Sequence, residues 1–126
     1  MAKPSILLVD DDPVFVDAMT AVLSKRYDTR SAADGEEAMA SLIEHRPDLI
    51  LLDVMLTYPS EGYDLAATLK KDPETAGIPI IMLTGVNRVF EIRSRLEKGW
   101  VDVEGFHTKP PEFDKLFETI EKHIHS

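Results

Sequence analysis

The sequence predicts one α/β domain, residues 1–126, in which a parallel β-sheet lies between two layers of helices. Apolar residues run without alternation through three short stretches, residues 5–9, 49–52 and 80–83. Such runs are typical of strands that are buried on both faces, as in parallel sheets covered by helices. Segments with apolar residues at helical spacing separate them, and this alternation of elements indicates an α/β fold.

Composition excludes several classes of protein. A chain of 126 residues with 44% hydrophobic and 29% charged residues is an ordinary globular domain. No apolar run approaches the ~20 residues of a membrane span, and no signal-peptide segment is visible, so we expect a cytoplasmic protein without a membrane partner. The absence of Cys excludes disulfides and Cys-based zinc sites. The net charge of −9 argues against nucleic-acid binding by this domain.

The first strand, Ser5–Val9, is followed by three consecutive acids and a proline. Asp is favoured just before a helix and Pro at its first position, so Asp12 is expected to cap a helix from Pro13 to Lys25, in which apolar residues recur at helical spacing at Phe15, Ala18, Met19 and Val22. One cap accounts for one acid. Asp10 and Asp11 are left for another role.

The middle of the chain continues the same alternation. Residues 27–32 alternate and predict an edge strand, which Asp34-Gly35 connects by a turn to a helix over 36–45. The run 49–53 predicts a buried strand that ends at Asp53, where open α/β sheets bind ligands. Taken alone, Asp53 is better explained as a strand-end residue that caps the next turn.

The second half predicts the remaining elements by the same criteria. Five βα repeats with right-handed crossovers favour a doubly wound, flavodoxin-like (βα)5 fold with strand order 2-1-3-4-5, which places the alternating second strand at an edge. The further expected elements are a loop over 54–61, helices over 62–71 and 87–98, strands over 80–83 and 106–108, and a closing helix marked by Phe113, Leu116, Phe117, Ile120 and Ile124.

Polar residues follow four of the predicted strands. The carboxyl ends of parallel strands meet at one edge, so Asp10, Asp11, Asp53, Thr84 and Lys109 are expected to converge. Three carboxylates and one ammonium leave a local charge of about −2, which favours a counter-ion. Mg²⁺ suits an oxygen-only ligand set and keeps open positions for a phosphate.

This arrangement indicates phosphoryl chemistry. A carboxylate can attack phosphorus to form an aspartyl-phosphate, which makes Asp53 the candidate nucleophile. Lys109 and the Thr84 hydroxyl would hold phosphate oxygens, and such positioning accounts for most of phosphoryl-transfer catalysis. Singly, Thr84 could be a cap and Lys109 a solvated lysine. The joint placement of Asp53, Thr84 and Lys109 at strand ends favours a phosphoryl-transfer site.

Four stretches of the sequence together resemble the receiver domain of two-component response regulators, over the whole chain. They are Ile6-Leu7-Leu8-Val9-Asp10-Asp11-Asp12, Pro47-Asp48-Leu49-Ile50-Leu51-Leu52-Asp53-Val54-Met55, Ile80-Ile81-Met82-Leu83-Thr84-Gly85 and Thr108-Lys109-Pro110.

The resemblance implies a phosphorelay switch. Its partners would be a sensor histidine kinase or a histidine phosphotransfer protein upstream, and a protein target or an output domain downstream, with the chain either standing alone or cut from a longer protein. It implies these roles: phosphoacceptor Asp53; Mg²⁺ ligands Asp10, Asp11, Asp53 and the Met55 backbone carbonyl; switch hydroxyl Thr84; phosphate-binding Lys109; rotating aromatic Phe106; and a cis bond between Lys109 and Pro110.

Two segments depart from the family pattern. The loop after Asp53 is one residue longer, and the segment before the last strand, residues 99–105, is three residues longer. The second segment contains Trp100, Val101 and Val103, and this apolar composition favours a phosphorylation-sensitive interface with a partner or a second copy over an inert loop.

Two alternatives remain. One is a phosphatase that forms an aspartyl-phosphate, but such enzymes place an acid two residues after the nucleophile, where this chain has Met55. We therefore expect self-catalysed phosphorylation and dephosphorylation of Asp53 rather than an enzyme. The other is a degenerate receiver that binds partners without phosphorylation, which the presence of all five site residues disfavours.

Overall fold

Five parallel strands form one sheet in the order β2-β1-β3-β4-β5, as the sequence predicts. The computed structural model describes residues 3–53, 61–85, 103–109 and 111–124, with only the backbone of residues 61, 63, 84 and 85. The strands are β1 Ser5–Val9, β2 Asp28–Ala32, β3 Leu49–Asp53, β4 Ile80–Gly85 and β5 Gly105–Lys109.

Four helices occur within the described residues, and none of them is long and apolar enough to cross a bilayer. The first ends before the predicted Lys25, because the backbone N–H groups of Arg26 and Tyr27 both donate to the Leu23 carbonyl and turn the chain. The predicted helix over 87–98 lies outside the described residues. The helices are α1 Pro13–Leu23, α2 Gly35–Glu44, α3 Glu61–Lys71 and α4 Phe113–Ile124.

The central strands β1, β3 and β4 are buried on both faces, which explains why their sequences do not alternate. Along β1, Leu7 and Val9 face a first core cluster with α2 and α3, whereas Ile6 and Leu8 face a second core cluster with α1 and α4. Every residue of β1 and β3 is buried. Burial of apolar area of this kind supplies most of the driving force for folding.

Side-chain caps fix two helix starts close to the carboxyl edge of the sheet. Asp12 Oδ1 accepts from Val14 N at 3.0 Å and from Phe15 N at 3.4 Å, which confirms the predicted cap of α1. Asp34 Oδ1 accepts from Glu37 N at 2.8 Å at the start of α2. Both helices therefore begin at defined residues directly after β1 and β2.

Glu104 ties three elements together at the opposite edge. Its Oε1 accepts from the backbone N–H of Ile80 at 2.8 Å and pairs with Lys70 Nζ at 2.8 Å. Its own N–H donates to the Ile80 carbonyl at 2.9 Å. These contacts fix the start of β4 relative to β5 and to the end of α3.

Gly105 allows α4 to pack closely on β5. A Cβ at this position would lie 2.9 Å from Thr119 Cγ2 and 3.2 Å from Ile81 Cγ1. The Thr119 side chain cannot retreat freely, because its hydroxyl donates to the Lys115 carbonyl at 3.1 Å and lies 2.8 Å from His107 Nε2.

We therefore predict that Gly105→Ala lowers the free energy of unfolding by about 1–3 kcal/mol, the usual range for overpacking. Urea denaturation followed by circular dichroism measures it. Gly77→Ala is the matched control, because a Cβ there meets only Arg46 Nη2, at 3.5 Å. Equal effects of the two substitutions would contradict the close packing of α4 on β5.

Candidate functional site

Strand register brings two acids together at the carboxyl edge of the sheet. Val9 pairs with Leu52, so the next residues, Asp10 and Asp53, are neighbours. The Asp10 N–H extends the sheet by donating to the Ala32 carbonyl at 2.9 Å. Both acids are buried, with 2% and 5% of their surface exposed. Two adjacent buried carboxylates require a compensating cation.

Asp11 completes an acid cluster, a name used below for Asp10, Asp11 and Asp53. One carboxylate oxygen from each of the three lies within 4.8 Å of the others. Asp11 differs from its neighbours because it is exposed. The acid cluster is therefore buried on the side of the sheet and open on the side of Asp11.

Lys109, the last residue of β5, supplies the positive charge. Its Nζ lies 2.9 Å from Asp10 Oδ2 and 3.3 Å from Asp53 Oδ2, and it donates hydrogen bonds to Asp10 Oδ1 and Asp53 Oδ2, each at 3.3 Å. β4 and β3 lie between β5 and β1 in the sheet, so the long lysine side chain spans the site.

The pKa values of Asp10 and Lys109 respond to burial and to neighbouring charges. Burial raises the pKa of Asp10, and it outweighs the opposing effects of the Asp12 N–H and Lys109. Burial also lowers the pKa of Lys109, but its hydrogen bond to Asp10 and the charges of Asp53 and Asp10 outweigh this, so that pKa is raised overall. At neutral pH the lysine is charged, and burial makes the ionised form of Asp10 less favourable than it is in water.

The donor set fits a hard divalent cation. All three members of the acid cluster offer carboxylate oxygens. Asp10 Oδ1 accepts from the Asp12 N–H at 2.9 Å. Its buried Oδ2 has no hydrogen bond among the described residues and lies 2.9 Å from the Lys109 ammonium. A buried oxygen of this kind, beside two further carboxylates, is a suitable ligand for Mg²⁺.

The other expected site residues are described to different extents. The backbone of Thr84 lies near the end of β4, paired with Thr108, and nothing is described of its side chain. Phe106 is half-buried and packs against the first core cluster. Met55, Pro110 and Trp100 lie outside the described residues.

Phe15 is a neighbour of the site, although its sequence pattern predicts only a place on the apolar face of α1. Lys109 Nζ lies over its ring, 4.6 Å from the centroid. Its position in α1 fits helical spacing, so the apolar pattern alone gave no reason to single it out. The contact with Lys109 arises because the start of α1 and the end of β5 meet beside the acid cluster.

Comparisons with known proteins identify the family pattern over most of the chain. The sequence profile of the response regulator receiver domain matches residues 6–121. A putative response regulator from Chloroflexus aurantiacus J-10-fl has a crystal structure that superposes with a TM-score of 0.84 at 29% identity, covering 97% of this chain and 98% of that one.

The curated relatives are longer proteins. The DNA-binding response regulator MtrA of Mycolicibacterium smegmatis is 39% identical over 111 residues, which are 87% of this chain and 47% of that protein. A probable cyclic di-GMP phosphodiesterase of Vibrio cholerae is 31% identical over 98% of this chain and 27% of its own length. The chain thus spans about half or less of the length of these relatives. Because MtrA is named as a DNA-binding protein, the absence of nucleic-acid binding by this domain stays a prediction.

The raised pKa of Asp10 predicts how stability depends on pH. A carboxyl whose pKa is higher in the folded than in the unfolded state binds its proton more tightly when folded, so its ionisation destabilises the fold. We predict that Asp10→Asn, without metal, is more stable than the wild type at pH 7 by on the order of 1 kcal/mol. The difference should shrink as the pH falls toward 3.8, the ordinary value for this group.

Thermal melts across this pH range in a chelator measure the effect. Asp17→Asn is the control, because Asp17 is an exposed acid on α1. A lower melting temperature for Asp10→Asn than for the wild type at pH 7 would contradict the description of Asp10 as a destabilising buried acid.

Proposed function

The chain belongs to the response regulator receiver domain family, and we propose that Asp53 is its phosphoacceptor. The observation that carries the proposal is the acid cluster, with one oxygen of each acid within 4.8 Å of the others and the Lys109 ammonium against two of them. In this proposal residues 1–126 form a single receiver domain.

The proposed reaction transfers a phosphoryl group from a phosphohistidine. An Asp53 carboxylate oxygen donates a lone pair to phosphorus as the phosphorus–nitrogen bond breaks, and the electrons of that bond remain on the imidazole nitrogen. The products are an aspartyl-phosphate and a free histidine. Hydrolysis of the aspartyl-phosphate restores Asp53, so the domain is a self-resetting switch and not an enzyme that acts on a separate substrate.

The neighbouring residues prepare Asp53 for this transfer. Lys109 already lies 3.3 Å from Asp53 Oδ2, so its ammonium is placed to bind an oxygen of the incoming group. Asp10, Asp11, Asp53 and the Met55 carbonyl are proposed to hold Mg²⁺, which when bound screens the negative nucleophile from the negative phosphoryl group. A Thr84 hydroxyl contact to the phosphoryl group and a cis bond before Pro110 are proposed from the resemblance.

Signalling follows from changes around the new phosphoryl group. We propose that Thr84 and Phe106 shift between two arrangements and alter a protein-contact surface that includes residues 99–105. The upstream partner is a sensor histidine kinase or a histidine phosphotransfer protein, and the downstream partner is a protein target or an output domain. We place this switch in the cytoplasm, where such phosphotransfer partners act.

Phosphorylation of Asp53 can be tested with acetyl phosphate and Mg²⁺. We predict one base-labile phosphoryl group per chain by mass spectrometry, and none in Asp53→Asn, which keeps nearly the same shape but removes the nucleophile. Asp48→Asn is the matched control, because Asp48 directly precedes β3, at the opposite end of the strand from Asp53, and accepts a hydrogen bond from Ser5 N at 2.7 Å. Full labelling of Asp53→Asn at another residue would exclude the assignment.

A second prediction separates the lysine from the metal ligands. Lys109→Ala should still bind Mg²⁺, because it leaves all three carboxylates in place, but it should lose at least tenfold in affinity for beryllofluoride, a mimic of the phosphoryl group, since a charge-assisted contact is removed. Isothermal titration of each ligand measures this. If Lys109→Ala and Asp53→Asn lose Mg²⁺ affinity equally, the proposed role of Lys109 is wrong.

A further inference from the structure

The contact between Phe15 and Lys109 is not explained by the roles proposed so far. Lys109 Nζ lies between two carboxylates and the face of an aromatic ring, with its nearest carboxylate oxygen at 2.9 Å and the ring centroid at 4.6 Å. An ammonium within about 6 Å of a ring centroid is attracted by the electron density of the ring face. The ring therefore provides a third attraction for the same ammonium.

The ring itself is held in place. Phe15 is half-buried and packs against the second core cluster. Its backbone N–H donates to Asp12 Oδ1 at 3.4 Å, and Asp12 N donates to Asp10 Oδ1 at 2.9 Å. The backbone that carries the ring is thus linked to a member of the acid cluster through two hydrogen bonds.

The attraction of Lys109 to the two carboxylates and its attraction to the ring differ in how they respond to charge. Its attraction to Asp10 and Asp53 weakens when another cation shares those oxygens or when Asp53 becomes esterified. Its attraction to the Phe15 ring does not depend on the ionisation or ligation of the acids. The ring can therefore retain the ammonium beside the site after the carboxylates take new partners.

We propose that Phe15 is a positioning residue, which holds the Lys109 ammonium where it can bind the phosphoryl group on Asp53. The inference rests on the proposed function of Asp53 and deepens it by adding a residue that acts only through Lys109. A cation–π contact of the usual strength corresponds to about a two- to thirtyfold effect on affinity. Loss of the ring face should weaken binding of the phosphoryl mimic by this factor and leave Mg²⁺ binding unchanged.

Ring fluorination tests the proposal with little change in shape. Phenylalanine bearing one, two or three ring fluorines is incorporated at position 15, and beryllofluoride affinity at saturating Mg²⁺ is measured by fluorine NMR. We expect affinity to fall stepwise as fluorine withdraws electron density from the ring face, with melting temperature and Mg²⁺ affinity unchanged. A purely structural role for Phe15 would give a flat series.

Phe117 is the matched control. Its ring also packs against the second core cluster, and the Arg26 guanidinium carbon lies 4.1 Å from its centroid. The same fluorinated residues at position 117 should leave beryllofluoride affinity unchanged. A fall of equal size at both positions would show that fluorination acts through the core and would overturn the role of Phe15.

The outcomes also separate this inference from the proposed function. If the unmodified protein binds no beryllofluoride, the function proposed for Asp53 fails and the role of Phe15 fails with it. If the unmodified protein binds the mimic and the series at position 15 is flat, only the role of Phe15 is overturned. Proton NMR adds a direct check, because the ring should shift the Lys109 ε-methylene signals upfield in the wild type and not in Phe15→Leu.

Discussion

Lys109 Nζ lies 2.9 Å from Asp10 Oδ2 and 3.3 Å from Asp53 Oδ2, and these contacts join the two ends of the site. Asp10 directly follows β1, Asp53 ends the adjacent central strand β3, and Lys109 ends the edge strand β5. Without the ammonium, two adjacent buried carboxylates would lose this positive charge, a change that is strongly destabilising. The sheet register and the lysine therefore make the site possible together.

One ammonium does not neutralise three acids, and this imbalance gives the site its chemistry. Burial raises the pKa of Asp10, and Asp10 Oδ2 has no hydrogen bond among the described residues. Such a site favours ligands that add positive charge or satisfy oxygen lone pairs, as a divalent cation does. The same lysine is then available to an anionic phosphoryl group, so the contacts that stabilise the resting site also prepare it for transfer.

The sequence was sufficient for the features that depend on backbone pattern. Unalternating strands predicted a sheet covered on both faces, and the strand ends predicted that Asp10, Asp53 and Lys109 would meet. Features that depend on side-chain direction could not be predicted in this way. Helical spacing placed Phe15 in the core without indicating the contact of its ring with Lys109, and the composition around Glu104 gave no sign that it would accept a hydrogen bond from the start of β4.

A crystal structure of the protein with Mg²⁺ and beryllofluoride would show whether Asp53 and Lys109 bind the phosphoryl group together, because it locates the mimic and the lysine at once. We predict beryllium bonded to an Asp53 carboxylate oxygen, Mg²⁺ on the acid cluster, and Lys109 Nζ within hydrogen-bond distance of a fluorine. Beryllofluoride bound to a different carboxylate, or Lys109 still paired with Asp10 and distant from the mimic, would contradict it.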